Sequence, residues 1–140
     1  MAILTQLAEA SAAAGLPGRF EVHKVGDQYD VIGSEVADER GVLRPVSPLL
    51  DTPVTLAENE RTVAGLIQAV ADSLSVSVGR RVLTVLPLNV LGERTDKGFT
   101  ETPAREAIRA ALAKARGDWV WTLNYDISSR TYYLNINRAR

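Results

Sequence analysis

The sequence contains no cysteine and a single histidine, His23, so several kinds of site are excluded at once. Without cysteine the chain cannot form a disulfide, a thiolate metal site or a thiol nucleophile. One imidazole, with no thiolate or second imidazole, is too few for a zinc site. The redox compartment stays open, because proteins without disulfides occur in every compartment.

The sequence also lacks a long apolar run and an excess of either charge. No stretch approaches the roughly 20 apolar residues needed to cross a bilayer. Residues 1–15 include Gln6 and Glu9 and have no basic segment, so we expect no signal peptide there. The chain has 16 Lys and Arg against 17 Asp and Glu, a formal net charge of −1. We therefore expect neither membrane insertion nor nucleic-acid binding.

The length and composition are those of a globular protein. With 140 residues, 46% hydrophobic and 24% charged, the chain is long enough for one domain or two very small ones. It contains no phosphate-binding loop, dinucleotide fingerprint or nucleophile elbow, so we predict no cofactor and no catalytic residue. The open alternative is a general base at His23 oriented by Glu21 or Asp30, although an exposed strand residue is the simpler interpretation.

The last third of the chain has the clearest pattern, a helix followed by a β-hairpin. Thr102 and Pro103 are typical of a helix start, and Gly117 is typical of a helix end. Small apolar residues recur between them at helical spacing. Apolar and polar residues then alternate over residues 119–125 and again over residues 132–136. Alternation on both sides of a short polar turn predicts two antiparallel strands.

Both tryptophans and three of the four tyrosines lie in this predicted hairpin. One interpretation is a stacking platform for a sugar or a base, formed by Trp119, Trp121, Tyr125 and Tyr133. The other is core packing beneath the helix, which we favour because large aromatic side chains dominate protein cores by area.

The N-terminal part repeats the order of a helix and a hairpin. Residues 3–14 predict a short helix, and residues 20–25 and 28–33 predict two strands joined at Gly26 and Asp27. Either an internal duplication or two uses of one common motif explains the repeat. Residues 42–56 are the least periodic part and contain several prolines. Within them, residues 42–48 carry two prolines and are expected to form either a sheet edge or an exposed arm, and residues 42–56 as a whole are the expected connection between two halves.

Residues 59–98 are predicted to form the helix, strands and loop that precede the C-terminal helix and hairpin. Asn59 is a candidate helix cap, followed by an apolar stripe from Val63 to Leu74. Val76 and Val78 alternate with serines and predict a half-buried strand. Residues 82–86 predict a central strand, and residues 93–98 a charged loop. Residues 59–137 therefore read as helix, strand, strand, loop, helix, strand, strand.

These patterns predict an α+β protein with two helix–hairpin (αββ) units, whose helices pack on an antiparallel or mixed sheet. We place the first unit, with its extended arm, at residues 1–57 and the second at residues 58–140. The second half is βαββ-like, and the two units are expected to pack either separately or as one domain.

The second half resembles the short N-terminal domain of secretins and TonB-dependent proteins (the STN domain) and related ring-building modules of bacterial envelope proteins. The resemblance covers residues 59–137, and the N-terminal helix–hairpin unit is additional to it. The matching positions are Thr102, Ala107, Ala111, Leu112, Tyr125, Tyr133, Leu134 and Ile136. The middle of the chain, DVIGSEV…PVSPLLDTPVTL, also resembles bacterial proteins to which no function is attached.

The resemblance implies a non-catalytic interaction or assembly module of the bacterial cell envelope. It implies a periplasmic or extracytoplasmic location, with a cytoplasmic one as the open alternative, and a protein partner, either a second copy or another envelope component. It transfers no binding residue to this chain. We expect such a module to pair through a sheet edge, offered by residues 42–53 and by the hairpin strands, or through a helix face. The alternatives are a small-ligand or carbohydrate binder using the aromatic strip, and an enzyme using His23.

Overall fold

The computed structural model describes Gln6, residues 18–87 and residues 91–139, and over these residues the protein has an α+β fold. This confirms the predicted class. The two helices in those ranges are Val63–Val78 (α1) and Ala104–Leu112 (α2), and a short 3-10 helix covers Leu49–Asp51. The strands are β1 Gly18–Val25, β2 Gln28–Ala37, β3 Leu43–Pro45, β4 Pro53–Leu56, β5 Arg61–Thr62, β6 Val82–Val85, β7 Arg94–Thr95, β8 Phe99–Pro103, β9 Trp119–Asp126 and β10 Thr131–Arg138.

The chain divides into two compact units, Met1–Leu49 and Leu50–Arg140. The division comes earlier than the predicted boundary after residue 57. The reason is that β4 pairs antiparallel with β8 and so belongs to the second unit. The predicted first helix, residues 3–14, lies outside the described residues except for Gln6.

The first unit contains a sheet of three strands in the order β1-β2-β3. β1 and β2 form the predicted hairpin, and Gly26 supplies the positive φ of 62° that its tight turn requires. The next turn is organised by Asp38, whose Oδ1 accepts hydrogen bonds from the backbone N–H of Arg40 at 2.9 Å and of Val42 at 3.0 Å. The proline-containing segment forms edge strand β3, which is the first of the two predicted alternatives.

The second unit packs its helices against a sheet in the order β6-β10-β9. β10 pairs parallel with β6 and antiparallel with β9. Alternate residues of β10, Leu134 and Ile136, are buried together with the apolar residues of both helices, so the core lies between the helices and one face of this sheet. Residues 82–86 were predicted to form a central strand, but β6 lies at an edge of the three strands, because β10 alone bonds on both sides.

Helix α1 differs from its prediction at both ends. Thr62, not Asn59, caps it: the Thr62 hydroxyl accepts a hydrogen bond from the backbone N–H of Gly65 at 3.0 Å. Val76 and Val78 do not form a strand but continue the helix to Gly79, whose φ of 63° ends it. Val76 has an exposed fraction of 86%, so the alternation of valine and serine marks a solvated helix end.

Helix α2 is shorter than predicted because the residues before it form strand β8 and those after it form tighter turns. Thr102 and Pro103 belong to β8, and the Thr102 hydroxyl donates to the carbonyl of Thr100 at 3.1 Å instead of capping the helix. At the other end the chain continues in tighter turns, with Ala115 N–H donating to Leu112 O at 3.0 Å. Gly117 then adopts a φ of 102°, beyond the helix end.

The capping assignment can be tested with a matched pair of variants. We expect Thr62→Ala to lower the free energy of unfolding by about 0.5–2 kcal/mol, because one first-turn N–H of α1 loses its acceptor. Asn59→Ala should leave the free energy of unfolding nearly unchanged. Urea denaturation of both variants measures the difference, and an equal loss from both would contradict the assignment.

Candidate functional site

The β9–β10 hairpin carries the predicted aromatic strip, and its two faces have different surroundings. Side chains alternate along a strand, so one face of β9 holds Trp119, Trp121, Leu123 and Tyr125. These residues pair with residues of β10 that include the buried Leu134 and Ile136. This face of the hairpin is therefore the core face. The opposite face of β9 holds the exposed residues Val120, Thr122 and Asn124.

Burial of the aromatic rings decreases along β9. Trp119, at the start of the strand, is only 4% exposed and its indole Nε1 is buried without a hydrogen-bond partner. Trp121 is half-buried, and Tyr125, next to the turn, is 40% exposed. The first ring therefore belongs to the core, and the solvent-accessible aromatic surface lies near the turn.

Arginine side chains lie over both accessible rings. The guanidinium carbon of Arg109, from α2, is 5.7 Å from the centroid of the Trp121 ring. That of Arg80 is 5.8 Å from the centroid of the Tyr125 ring. Tyr125 also packs on Tyr132 with ring centroids 4.6 Å apart and planes tilted by 42°. These cation–π and aromatic contacts hold the rings in place against the sheet.

The four residues of the predicted ligand site are not brought together. Tyr133 pairs with Asn124 and with Leu83, on the face opposite the two tryptophans and Tyr125. A stacking platform on the core face is limited to Trp121 and Tyr125. Sequence reasoning missed Arg80 and Arg109, because nothing in their local patterns indicates that they approach a strand distant in the chain.

The free edge of β9 is the second feature of the hairpin. Within the second unit, β10 is the only strand of the described residues that pairs with β9. The Ala139 N–H donates to the Asp118 carbonyl at 2.8 Å, which makes this opposed pair a hydrogen-bonded one. Bonded and non-bonded pairs alternate in antiparallel sheets, so Val120, Thr122 and Asn124 bond to β10. The backbone groups of Trp121, Leu123 and Tyr125 therefore point to the open edge.

This edge lacks the residues that usually protect one. Residues 119–125 of β9 contain no charged side chain, no proline and no glycine. Natural edge strands are commonly protected by lysine, proline, a bulge or short length. β3, by contrast, is short and ends at Pro45. The open edge of β9 is therefore suited to pairing with another strand.

The turn of the hairpin is fixed by Asp126. Its carboxylate accepts hydrogen bonds from the Ser129 hydroxyl at 2.7 Å and from the Ser128 hydroxyl at 2.7 Å. The Ser128 backbone N–H adds a third at 2.9 Å. These hydrogen bonds, that of Ser129 first, hold the pKa of the Asp126 carboxyl below its ordinary value. Arg130 completes the turn at a φ of 51°.

His23 lies on β1 in the first unit. Its Nε2 is 2.9 Å from Oε2 of Glu21, and both side chains are more than half exposed, at 53% and 62%. Asp30, the other proposed orienter, is opposite His23 in the β1–β2 register and is buried. Among residues 18–87 and 91–139, no group of three or more His, Asp or Glu side chains is arranged to hold a metal ion.

Comparison with known proteins finds no family model, no curated protein and no solved structure that matches the chain. Neither helix in the described ranges has the length and apolar character needed to cross a membrane.

The gradient of burial along β9 can be tested by fluorescence of two single-tryptophan variants. In Trp121→Phe the remaining Trp119 should emit at short wavelength and resist acrylamide, because it lies in the core. In Trp119→Phe the remaining Trp121 should emit at longer wavelength and be quenched more strongly. Equal quenching of the two indoles would contradict the structure.

The turn predicts a dependence of stability on pH. The pKa of Asp126 is lower in the folded chain than in the unfolded one, so its carboxylate stabilises the fold above the unfolded value of about 3.9. This stabilisation should disappear as the pH falls through the folded pKa. We expect Asp126→Asn to be less stable than the natural protein at pH 7, and the difference to close on acidification.

The control for this prediction is Ser129→Ala, which removes the hydrogen bond with the largest effect on Asp126. The pKa of Asp126, followed by NMR of its carboxyl carbon, should rise toward the ordinary value. An unchanged pKa in Ser129→Ala would show that the hydroxyl does not stabilise the carboxylate.

Proposed function

We propose that the chain is a non-catalytic interaction and assembly module that binds a partner protein by pairing a strand to the open edge of β9. The observation that carries the proposal is the seven-residue stretch 119–125, uncharged and without proline, on a strand that pairs on one side only among the residues that the structure describes. An added strand gains affinity from backbone hydrogen bonds and specificity from alternate side chains.

The hairpin is built to present this edge rigidly. β9 is anchored by the buried Trp119 at one end and by the Asp126 turn at the other. Arg109 and Arg80 lie over the rings of Trp121 and Tyr125, which limits the side-chain freedom that binding would otherwise have to restrict. A preorganised strand pairs at lower entropic cost than a flexible one.

The proposed setting is the bacterial cell envelope, in a periplasmic or extracytoplasmic compartment. The resemblance of residues 59–137 to STN-like domains and ring-building modules supports this setting, since such modules act there through protein partners.

A small-ligand or carbohydrate-binding function is the second candidate. It is supported by the half-buried Trp121 beside the 40% exposed Tyr125 on one face of β9. A ligand would have to share these rings with Arg109 and Arg80, and a sugar or an anion could use the guanidinium groups as donors.

The proposed function can be tested by photo-cross-linking in the native bacterial host. We expect a photoreactive residue at Thr122, exposed on β9 beside the open edge, to form a covalent adduct with a protein chain. The same residue at Ser77, exposed on α1, is the matched control and should give little adduct. No adduct from Thr122 at the natural expression level would contradict pairing at this edge.

A further inference from the structure

We propose that the partner of β9 is the β9 strand of a second copy of this chain, paired antiparallel about a two-fold axis at Leu123. This inference rests on the proposed function and identifies the partner. Two equal strands that pair about a two-fold axis perpendicular to the sheet must have one residue opposite its own copy. The possible registers are therefore few, and the sequence of β9 distinguishes between them.

The register centred on Leu123 satisfies the backbone of both copies. Trp121, Leu123 and Tyr125 are the residues whose backbone groups point to the open edge. In this register Leu123 opposes Leu123 and Trp121 opposes Tyr125, so these residues exchange N–H···O bonds with one another. The pairing joins two three-stranded sheets β6-β10-β9 into one continuous sheet.

The side chains also match their own copies in this register. On the core face Leu123 meets Leu123, and each Trp121 meets a Tyr125, and aromatic side chains directly opposite each other stabilise a pair of strands. On the outer face each Thr122 meets an Asn124, so two small polar groups are opposed. No residue of the paired stretch faces a like charge.

The neighbouring registers fit less well. Centring on Thr122 would oppose Asp118 of one copy to Asp126 of the other, and like charges directly opposite each other destabilise a sheet. Centring on Asn124 would move the pairing toward the turn, where β9 ends at Asp126, and would leave Trp121 without a partner in a strand. The register at Leu123 avoids both.

Two symmetric pairs of like charges approach in the proposed dimer. Arg109 lies over Trp121 and Arg80 over Tyr125, so Trp121 and Tyr125 of opposite copies bring these guanidinium groups to the same face. Solvent and salt screen this repulsion, and Arg80 is exposed.

The register can be tested with cysteine, because the natural chain has none. Thr122 and Asn124 of opposite copies would form a non-hydrogen-bonded pair with Cα atoms about 4.5 Å apart, which is within the range of a disulfide. Two copies of Thr122 would lie diagonally, at roughly 7–8 Å, beyond it. An oxidised mixture of Thr122→Cys and Asn124→Cys should give a disulfide dimer that neither variant gives alone. A disulfide dimer from Thr122→Cys alone would refute the register.

Charge variants give a second test on exposed residues that the core does not need. In the proposed register, residue 122 of one copy faces residue 124 of the other. The double variant Thr122→Lys with Asn124→Lys therefore places lysine opposite lysine, and sedimentation equilibrium should show loss of the dimer. Thr122→Lys with Asn124→Glu opposes lysine to glutamate, and the dimer should be retained. The same change in both doubly substituted proteins would contradict pairing centred on Leu123.

The failure of this inference can be separated from that of the proposed function. If the natural chain stays monomeric at every concentration and the cysteine mixture does not cross-link, self-pairing is wrong. A cross-linked product from Thr122 in the host with twice the mass of the uncross-linked protein supports self-pairing. A product of a different mass refutes self-pairing and keeps the proposed function, and no product refutes both.

Discussion

The second unit depends on β10, which in the described part of the chain is the only strand of its three-stranded sheet that bonds on both sides. It joins β6, which follows α1, to β9, which follows α2, so one strand connects both helix-containing segments. Its buried residues Leu134 and Ile136 face the helices. Since successive side chains of a strand point to opposite faces, a shift of one residue in β10 would expose both of them and bury Tyr133 and Asn135 instead. The burial of two side chains thus sets the register of the whole sheet.

The same register decides which surfaces of the hairpin are available to a partner. It places Trp119 in the core, carries Trp121 and Tyr125 toward solvent on the same face, and puts Tyr133 on the other face. The aromatic residues of the hairpin therefore have three different surroundings. Trp119 is buried in the core, Trp121 and Tyr125 lie under arginine side chains, and Tyr133 lies on the opposite face. What remains continuous along β9 is its backbone edge, and this continuity is why we assign the interaction to the strand edge and not to the rings.

Much of this architecture could be predicted from local patterns. The period-two alternation of residues 119–125 and 132–136 is confirmed in β9 and β10, and the N-terminal hairpin and the proline-bearing edge strand are confirmed as well. The errors lie where a local pattern fits more than one structure. Thr102 has the side chain of a helix cap but bonds to Thr100 within β8. Val76 and Val78 alternate like a strand but continue α1 until Gly79. The approach of Arg80 and Arg109 to the aromatic rings depends on the assembled sheet and has no local signal.

The parallel pairing of β6 with β10 has a consequence for how the sheet is assembled. β9 and β10 are neighbours in sequence and need only a short turn to meet. Val82 and Tyr132, by contrast, are paired although β7, β8, α2 and β9 lie between them in the sequence. Closing so long a segment costs chain entropy, and distant contacts of this kind slow folding relative to local ones. The hairpin with the open edge is thus the part of the sheet with the lowest contact order. The pairing of β6 has the highest, because it requires the intervening segment to be folded.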